Sequence, residues 1–136
     1  MHIINCHHVC IQTNKYEESI SFYTEILNFE IVKSTENFHG RDYNTWLKAS
    51  NILIELQTPK KNTTLHEWSS LNSGPVHIAF VVSDVYKAFE LIKNKGYSKF
   101  KLKNQQEIYQ VNNSMIFKVI APEGTEIEIR DNPNID

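Results

Sequence analysis

Apolar and polar residues alternate over residues 4–13 and again over 75–82, and this pattern predicts two β-strands. After the first strand, the spacing of Ile20, Tyr23, Ile26 and Leu27 predicts a helix with one apolar face. After the second strand, the apolar residues between Val85 and Ile92 predict another. Further strands are predicted at 29–35, 43–49, 51–57, 98–103, 114–120 and 125–130.

Capping and turn residues set the predicted limits of these elements. Asn14, with Glu17 three residues later, predicts the start of the first helix, and Asn28 predicts its end in a left-handed conformation. Ser83 or Asp84 is expected to cap the second helix, which ends at Gly96. Residues 38–42 are expected to form a loop, a hairpin is expected near Ser50, and Pro122-Glu123-Gly124 a turn.

Each half of the chain therefore reads as strand, helix and about three strands, which indicates an α+β fold built from a repeat. We predict one domain over residues 1–136, with internal modules at about 4–59 and 75–131. Residues 60–74 resemble a linker. The slightly longer segment 58–74, with Trp68, reads equally well as a lid or as a plain connector.

A histidine and a glutamate recur at matching places in the two halves. His8 and His77 open the first strand of each half, while Glu55 and Glu128 lie near the end of each half. Because side chains alternate along a strand, all four lie on the face opposite the apolar row. Taken singly, a strand histidine is more often structural and a strand glutamate is usually solvated. The mirrored set instead predicts a shared site.

Two imidazoles and two carboxylates are the donor types that bind a borderline divalent cation. Nickel or zinc suits the predicted set best, with cobalt or manganese as alternatives. A buried carboxylate also needs a partner or a metal ion. We therefore predict that His8, Glu55, His77 and Glu128 bind a divalent metal ion.

Other polar residues are weaker candidates. His7 faces the helix side by parity and is expected to be structural. Cys6 and Cys10 share the face of His8, but small buried residues are the simpler interpretation. His2, His39 and His66 fall in terminal or loop segments, and Glu126 is less well placed than Glu128. The aromatic residues that could line a pocket are Phe38, Tyr43, Trp46, Trp68, Tyr109 and Phe117.

Composition excludes several classes of protein. The formal net charge of −2 gives no support for a nucleic-acid or membrane partner. Neither a membrane-spanning run nor a signal peptide is predicted. Two cysteines are too few for a disulfide framework, so reduced thiols in the cytoplasm are expected.

The strands that carry His8, Glu55, His77 and Glu128, together with the first helix, resemble the vicinal oxygen chelate superfamily, and most of all glyoxalase I (lactoylglutathione lyase). The similarity covers nearly the whole chain, and its most specific parts are the Ser-Ile-x-Phe-Tyr helix from Ser19, the ending Pro122 to Ile129, and the order His, Glu, His, Glu. It implies two βαβββ modules that form a cupped, barrel-like mixed sheet with outer helices. It also implies a homodimer in which His8 and Glu55 of one chain meet His77 and Glu128 of the other.

Two positions depart from the glyoxalase I pattern. Gln12 stands where that family commonly has an arginine for a glutathione carboxylate, and Gln57-Thr58-Pro59 stands where an asparagine is common. The residues that bind the metal in that family are therefore all matched, whereas those that bind glutathione are not.

The activity implied is that of a metal-dependent lyase or isomerase, which converts a hemithioacetal or a similar vicinal-oxygen substrate through an enediolate. A glutamate would transfer the proton, with Glu128 favoured as the base over Glu55. The alternatives are a methylmalonyl-CoA epimerase-like or another metal-dependent enzyme of the superfamily. A protein of another class, a metal-free binder of the bleomycin-resistance type, also remains open.

Overall fold

The computed structural model describes residues 1–135, and the chain divides into two compact units, Met1–Glu67 and Trp68–Asp136. Each unit has its own sheet. No helix within the described residues combines the length and apolar character that crossing a bilayer needs.

The first unit is a mixed four-stranded sheet with one helical segment. Its sheet order is β1-β4-β3-β2, in which β1 runs parallel to β4 and the other neighbours are antiparallel. The helix α1 continues directly into a π-helical turn, Phe22–Ile26. The elements are β1 (Val9–Gln12), α1 (Tyr16–Ser21), β2 (Glu30–Phe38), β3 (Arg41–Ala49) and β4 (Ile52–Gln57).

The second unit repeats this order with one additional strand. Its sheet order is β5-β9-β8-β6, with β7 paired to β8, and β5 runs parallel to β9. The elements are β5 (His77–Val81), α2 (Val85–Asn94), β6 (Phe100–Lys101), β7 (Ile108–Val111), β8 (Ser114–Ile120) and β9 (Glu126–Arg130). The predicted α+β fold of two βαβββ modules is confirmed, with the correction that two open sheets of four and five strands replace one barrel-like sheet.

The apolar rows pack where alternation predicts. In the first unit Ile54 and Leu56 on β4 are fully buried, as is Tyr23 of the π-helical turn. In the second unit the ring of Phe89 on α2 lies 5.4 Å from that of Phe117 on β8 and 4.5 Å from that of Phe100 on β6. Burying such side chains is the main source of stability, at about 1.5–3 kcal/mol for each.

The predicted start of the first helix is wrong. Helix α1 begins at Tyr16 after Lys15, whose side chain makes no capping hydrogen bond. The hydroxyl of Thr13 instead accepts the Lys15 N–H at 2.8 Å and lies 2.9 Å from the Ser19 hydroxyl. Thr13, rather than Asn14, therefore stabilises this end of the helix.

Several strand limits also differ from the prediction. The first strand is only Val9–Gln12, the expected loop at 38–42 shrinks to a turn at His39 and Gly40, and β7 was not predicted. Positive φ angles at both turn residues, 48° and 77°, allow β2 and β3 to form a long hairpin.

The predicted left-handed end of the first helix at Asn28 and the predicted hairpin turn near Ser50 are confirmed by φ angles of 59° and 53°. Asp84 caps α2 by accepting the Lys87 N–H at 2.9 Å.

Candidate functional site

The first His–Glu pair lies where β1 enters the sheet of the first unit. His8 immediately precedes β1, and the parallel pairing of β1 with β4 places Cys10 opposite Glu55. Nε2 of His8 lies 3.4 Å from Oε2 of Glu55. The imidazole is one-third exposed and the carboxylate is largely buried.

The second pair repeats the same register in the second unit. The pairing of β5 with β9 places Ala79 opposite Glu128, just as Cys10 lies opposite Glu55. In both units the glutamate thus faces the residue two positions after the histidine. Nε2 of His77 lies 3.6 Å from Oε2 of Glu128. The repeat seen in sequence is therefore also a repeat of side-chain geometry.

The spacing within each pair fits two ligands of one cation. Donors at about 2.0–2.2 Å from a tetrahedral ion lie about 3.4 Å from one another. The observed separations of 3.4 and 3.6 Å match this value and are longer than a good hydrogen bond. Among residues 1–135 the metal-binding side-chain types meet as pairs, and no group of three or more is placed to hold an ion.

The two His–Glu pairs differ in the environment of the second imidazole nitrogen, Nδ1. A histidine that binds metal through Nε2 carries its proton on Nδ1 and donates it to a neighbour. Nδ1 of His8 lies 2.8 Å from Nδ1 of His7, which can accept a hydrogen bond from it. Nδ1 of His77 instead lies 3.2 Å from the ammonium of Lys118, which is a donor. The first pair suits metal binding as it stands, whereas the second suits it only when Lys118 finds another acceptor.

The antiparallel neighbour of each glutamate accounts for this difference. Trp46 on β3 lies opposite Glu55, and its ring centroid is 4.9 Å from that of His8. Lys118 on β8 lies opposite Glu128, with its ammonium 3.7 Å from the carboxylate. The same register position thus carries an aromatic ring in one unit and a cation in the other.

The second unit contains a cavity of about 470 Å³ beside its His–Glu pair. Its lining includes Glu128, Lys118, Arg130, Lys103 and Tyr109. Burial, followed by the charges of Glu128 and Glu126, raises the pKa of Tyr109, so its hydroxyl stays protonated at neutral pH. The cavity therefore combines cations, one carboxylate and a neutral phenol.

Cys10 lies beside the first pair without becoming a reactive thiol. Desolvation, followed by the charge of Glu55 and a hydrogen bond to it, raises the pKa of Cys10 to about 11. The thiol is therefore protonated at neutral pH, and it is the thiolate that reacts or binds metal.

The remaining sequence candidates have other environments. His2, His39 and His66 are exposed as expected, and Phe117 is a core residue. The prediction that His7 is a structural residue is wrong, because it is exposed and contacts His8. Cys6 and Cys10 are both free and exposed rather than buried. Gln12, which stands where glyoxalase I commonly has an arginine, accepts a hydrogen bond of 2.8 Å from the guanidinium of Arg41.

Lys118 and Lys103 were missed by sequence reasoning, although the sequence carries a signal for Lys118. It interrupts the apolar strand Met115-Ile-Phe-Lys-Val-Ile120. A lysine in such a strand is rarely buried without a partner, so it should have indicated a carboxylate on the neighbouring strand.

Comparison with known proteins identifies the family. The sequence profile of the Glyoxalase/Bleomycin resistance protein/Dioxygenase superfamily matches residues 5–129, and the chain belongs to this superfamily.

Individual relatives agree with this assignment. The chain is 30% identical over 94 residues to the uncharacterized protein YwkD of Bacillus subtilis (strain 168), covering 66% of this chain and 70% of that protein. Its fold is similar to that of a glyoxalase family protein from Enterococcus faecalis, with a TM-score of 0.76, 19% identity and coverage of 96% and 100% of the two chains. It is also similar to lactoylglutathione lyase from Agrobacterium tumefaciens, with a TM-score of 0.68, 13% identity and coverage of 96% and 95%. At these identities the two structures show a shared fold.

Proposed function

We propose that this protein is a metal-dependent lyase or isomerase of the glyoxalase I type, active as a homodimer. His8, Glu55, His77 and Glu128 would hold a divalent cation, with nickel or zinc best suited to the donor set. When bound, the cation would polarise the substrate carbonyl and stabilise the negative charge that develops on its oxygen.

The observation that carries this proposal is the repeated register. A histidine and a glutamate from adjacent parallel strands meet in each unit, with the glutamate opposite the residue two positions after the histidine. Their nitrogen–oxygen separations, 3.4 and 3.6 Å, suit a shared cation in both. A purely structural ion pair has no reason to recur at the same register with the same donor atoms.

Glu128 is the proposed proton-transfer residue. It lines the cavity of the second unit, and its carboxylate lies 3.7 Å from both Lys118 and Arg130. From this position the carboxylate would take a proton from a substrate carbon and return it to the neighbouring carbon. The imidazoles of His8 and His77 would act only as ligands.

Replacement of the two glutamates tests the assignment. In Glu128→Gln we expect turnover of a hemithioacetal, made from a 2-oxoaldehyde and each of several thiols, to fall about 10²–10⁴-fold, because the amide cannot accept a proton. In Glu55→Gln we expect a smaller fall and weaker metal binding. Activity is followed spectrophotometrically, with metal content measured on the same samples.

Glu90→Gln, on the exposed side of α2, serves as the matched control and should retain full turnover. Urea denaturation checks that each variant is folded. Wild-type turnover in both Glu128→Gln and Glu55→Gln would refute the proposed chemistry. A larger loss in Glu55→Gln would transfer the role of base to Glu55.

A metal-free binding protein is the second candidate, because the Lys118 ammonium already satisfies His77 and Glu128. Metal content of the purified protein after supplementation with nickel or zinc separates the two. About one ion per site supports the enzyme. A folded protein that takes up no metal supports the binder.

A further inference from the structure

The charged side chains around the cavity of the second unit do not balance. Three cations, Lys103, Lys118 and Arg130, line the cavity together with one carboxylate, Glu128. A second carboxylate, Glu126, is almost fully buried nearby and is contacted by Lys118 at 3.7 Å. It is also bound by Lys101 at 2.5 Å, which adds a fourth cation. The group therefore holds four cations and two carboxylates.

Lys118 and Arg130 each contact other groups in addition to these carboxylates. The Lys118 ammonium serves Glu126, Glu128 and His77 at once, at distances of 3.2–3.7 Å. The Arg130 guanidinium lies 3.7 Å from Glu128 and donates to the Ser114 hydroxyl at 2.6 Å. Its Nε atom is buried and has no acceptor among the described residues. Arg130 lines the cavity, and Glu128 and Ser114 engage only part of the five N–H donors of its guanidinium, so the terminal nitrogens can also donate to an oxyanion.

Lys103 is the cation with no competing carboxylate. No carboxylate lies within 4.0 Å of its ammonium in the part of the chain that the structure describes. Its backbone is fixed by a tight turn, in which Lys103 and Gln106 exchange hydrogen bonds of 2.9 and 3.0 Å. Its ammonium lies 5.1 Å from the ring of Tyr109, which also lines the cavity. A positive charge is therefore held beside the cavity by Tyr109, with no carboxylate to neutralise it.

We propose that this cavity binds an oxyanion group, a carboxylate or a phosphonate, of the substrate, with Lys103 and Arg130 as residues that determine specificity. The proposal deepens the proposed function and rests on it for the identity of the bound molecule as a substrate. It favours substrates that carry a negative charge near the two oxygens involved in the reaction. It disfavours neutral analogues, because these would leave the excess of positive charge uncompensated.

The test is calorimetric titration of the full-length protein, both chelator-treated and zinc-loaded, with lactate, methylphosphonate and lactamide. Lactate and lactamide have nearly the same shape and differ in charge. We expect one or both anions to bind at least about tenfold more tightly than lactamide, as charge-assisted hydrogen bonds predict. Tighter binding of lactate indicates a carboxylate ligand, and tighter binding of methylphosphonate a phosphonate ligand. Either supports the proposal.

Lys103→Met is the variant that isolates this site, because Lys103 contacts neither His77 nor Glu128. We expect it to weaken anion binding about five- to tenfold and to leave lactamide binding unchanged. Lys99→Met removes the same charge from an exposed position in the same unit that does not line the cavity, and should leave anion binding unchanged. Binding of both anions no tighter than that of lactamide, or equal anion binding by Lys103→Met and wild type, would overturn the proposal.

The outcomes for this site and for the proposed function are separable. Anion selectivity in a protein that takes up no metal would support this anion site and would refute the proposed metal-dependent activity. Metal uptake and turnover without anion selectivity would leave the proposed enzyme and overturn this site.

Discussion

At the scale of single residues, Lys118 is the side chain that distinguishes the two His–Glu pairs. Its side chain is only 14% exposed, and its ammonium lies where a metal-binding pair would normally have a hydrogen-bond acceptor. A divalent ion on His77 and Glu128 must therefore displace this ammonium as a partner of both. Lys118 should lower the metal affinity of the second pair while it holds the pair together in the absence of metal.

Replacing Lys118 with methionine should therefore tighten metal binding. The methionine keeps the apolar stem but removes the charge that competes for His77 and Glu128, and we expect the dissociation constant for zinc to fall about three- to tenfold. Competition with a chromophoric chelator at fixed pH measures this constant. Lys99→Met is the matched control. Unchanged or weaker zinc binding in Lys118→Met, in a protein shown to be folded, would mean that Lys118 does not compete with the ion.

At the scale of strands and helices, alternation predicted more than turn chemistry did. The period of two placed Glu55 and Glu128 opposite the buried apolar rows, because one face of each strand must pack in a core. The same period could not reveal that Cys10 and Ala79 lie opposite these glutamates, because pairing register depends on two strands that are distant in sequence. It also could not reveal the contact of Lys118 with His77.

Short elements were the least predictable. Strand β7 is four residues long and follows polar residues, so its sequence shows too little periodicity. The prediction of a helix cap at Asn14 was wrong because the hydroxyl of the neighbouring Thr13 binds the backbone at the start of the helix instead. The turn at Pro122-Glu123-Gly124, in contrast, was predicted because its residue types leave few alternatives.

That turn also predicts a stability effect. Gly124 has a φ angle of 100°, and a Cβ atom added there would lie 2.8 Å from Cβ of Trp68. Gly124→Ala should therefore lower the free energy of unfolding by about 2–4 kcal/mol, through both backbone strain and overlap with Trp68. Gly40→Ala, at a φ angle of 77° with no atom nearby, should lose only about 1–2 kcal/mol. Urea denaturation measures the free energy of unfolding of both variants. Equal losses would show that the Trp68 side chain moves away from the added methyl group without destabilising the protein.

At the scale of the whole molecule, two donors are too few for a stable site. A bound cation normally has three or four protein ligands, and each unit supplies one histidine and one glutamate as a pair. The proposed metal site would therefore need the donors of two pairs. The homodimer implied by the resemblance to glyoxalase I combines them between chains.

Mixing the two impaired variants, Glu55→Gln and Glu128→Gln, tests this arrangement. If His8 and Glu55 of one chain act with His77 and Glu128 of its partner, a dimer of one Glu55→Gln chain and one Glu128→Gln chain has both changes in one site and none in the other. Random pairing makes half of the dimers mixed, so co-refolded variants should recover about a quarter of wild-type turnover. Each variant refolded alone is the control and should keep its own reduced turnover, so the mixture should exceed the mean of the two. Sites built within one chain would give no recovery, because every chain in the mixture carries one changed ligand.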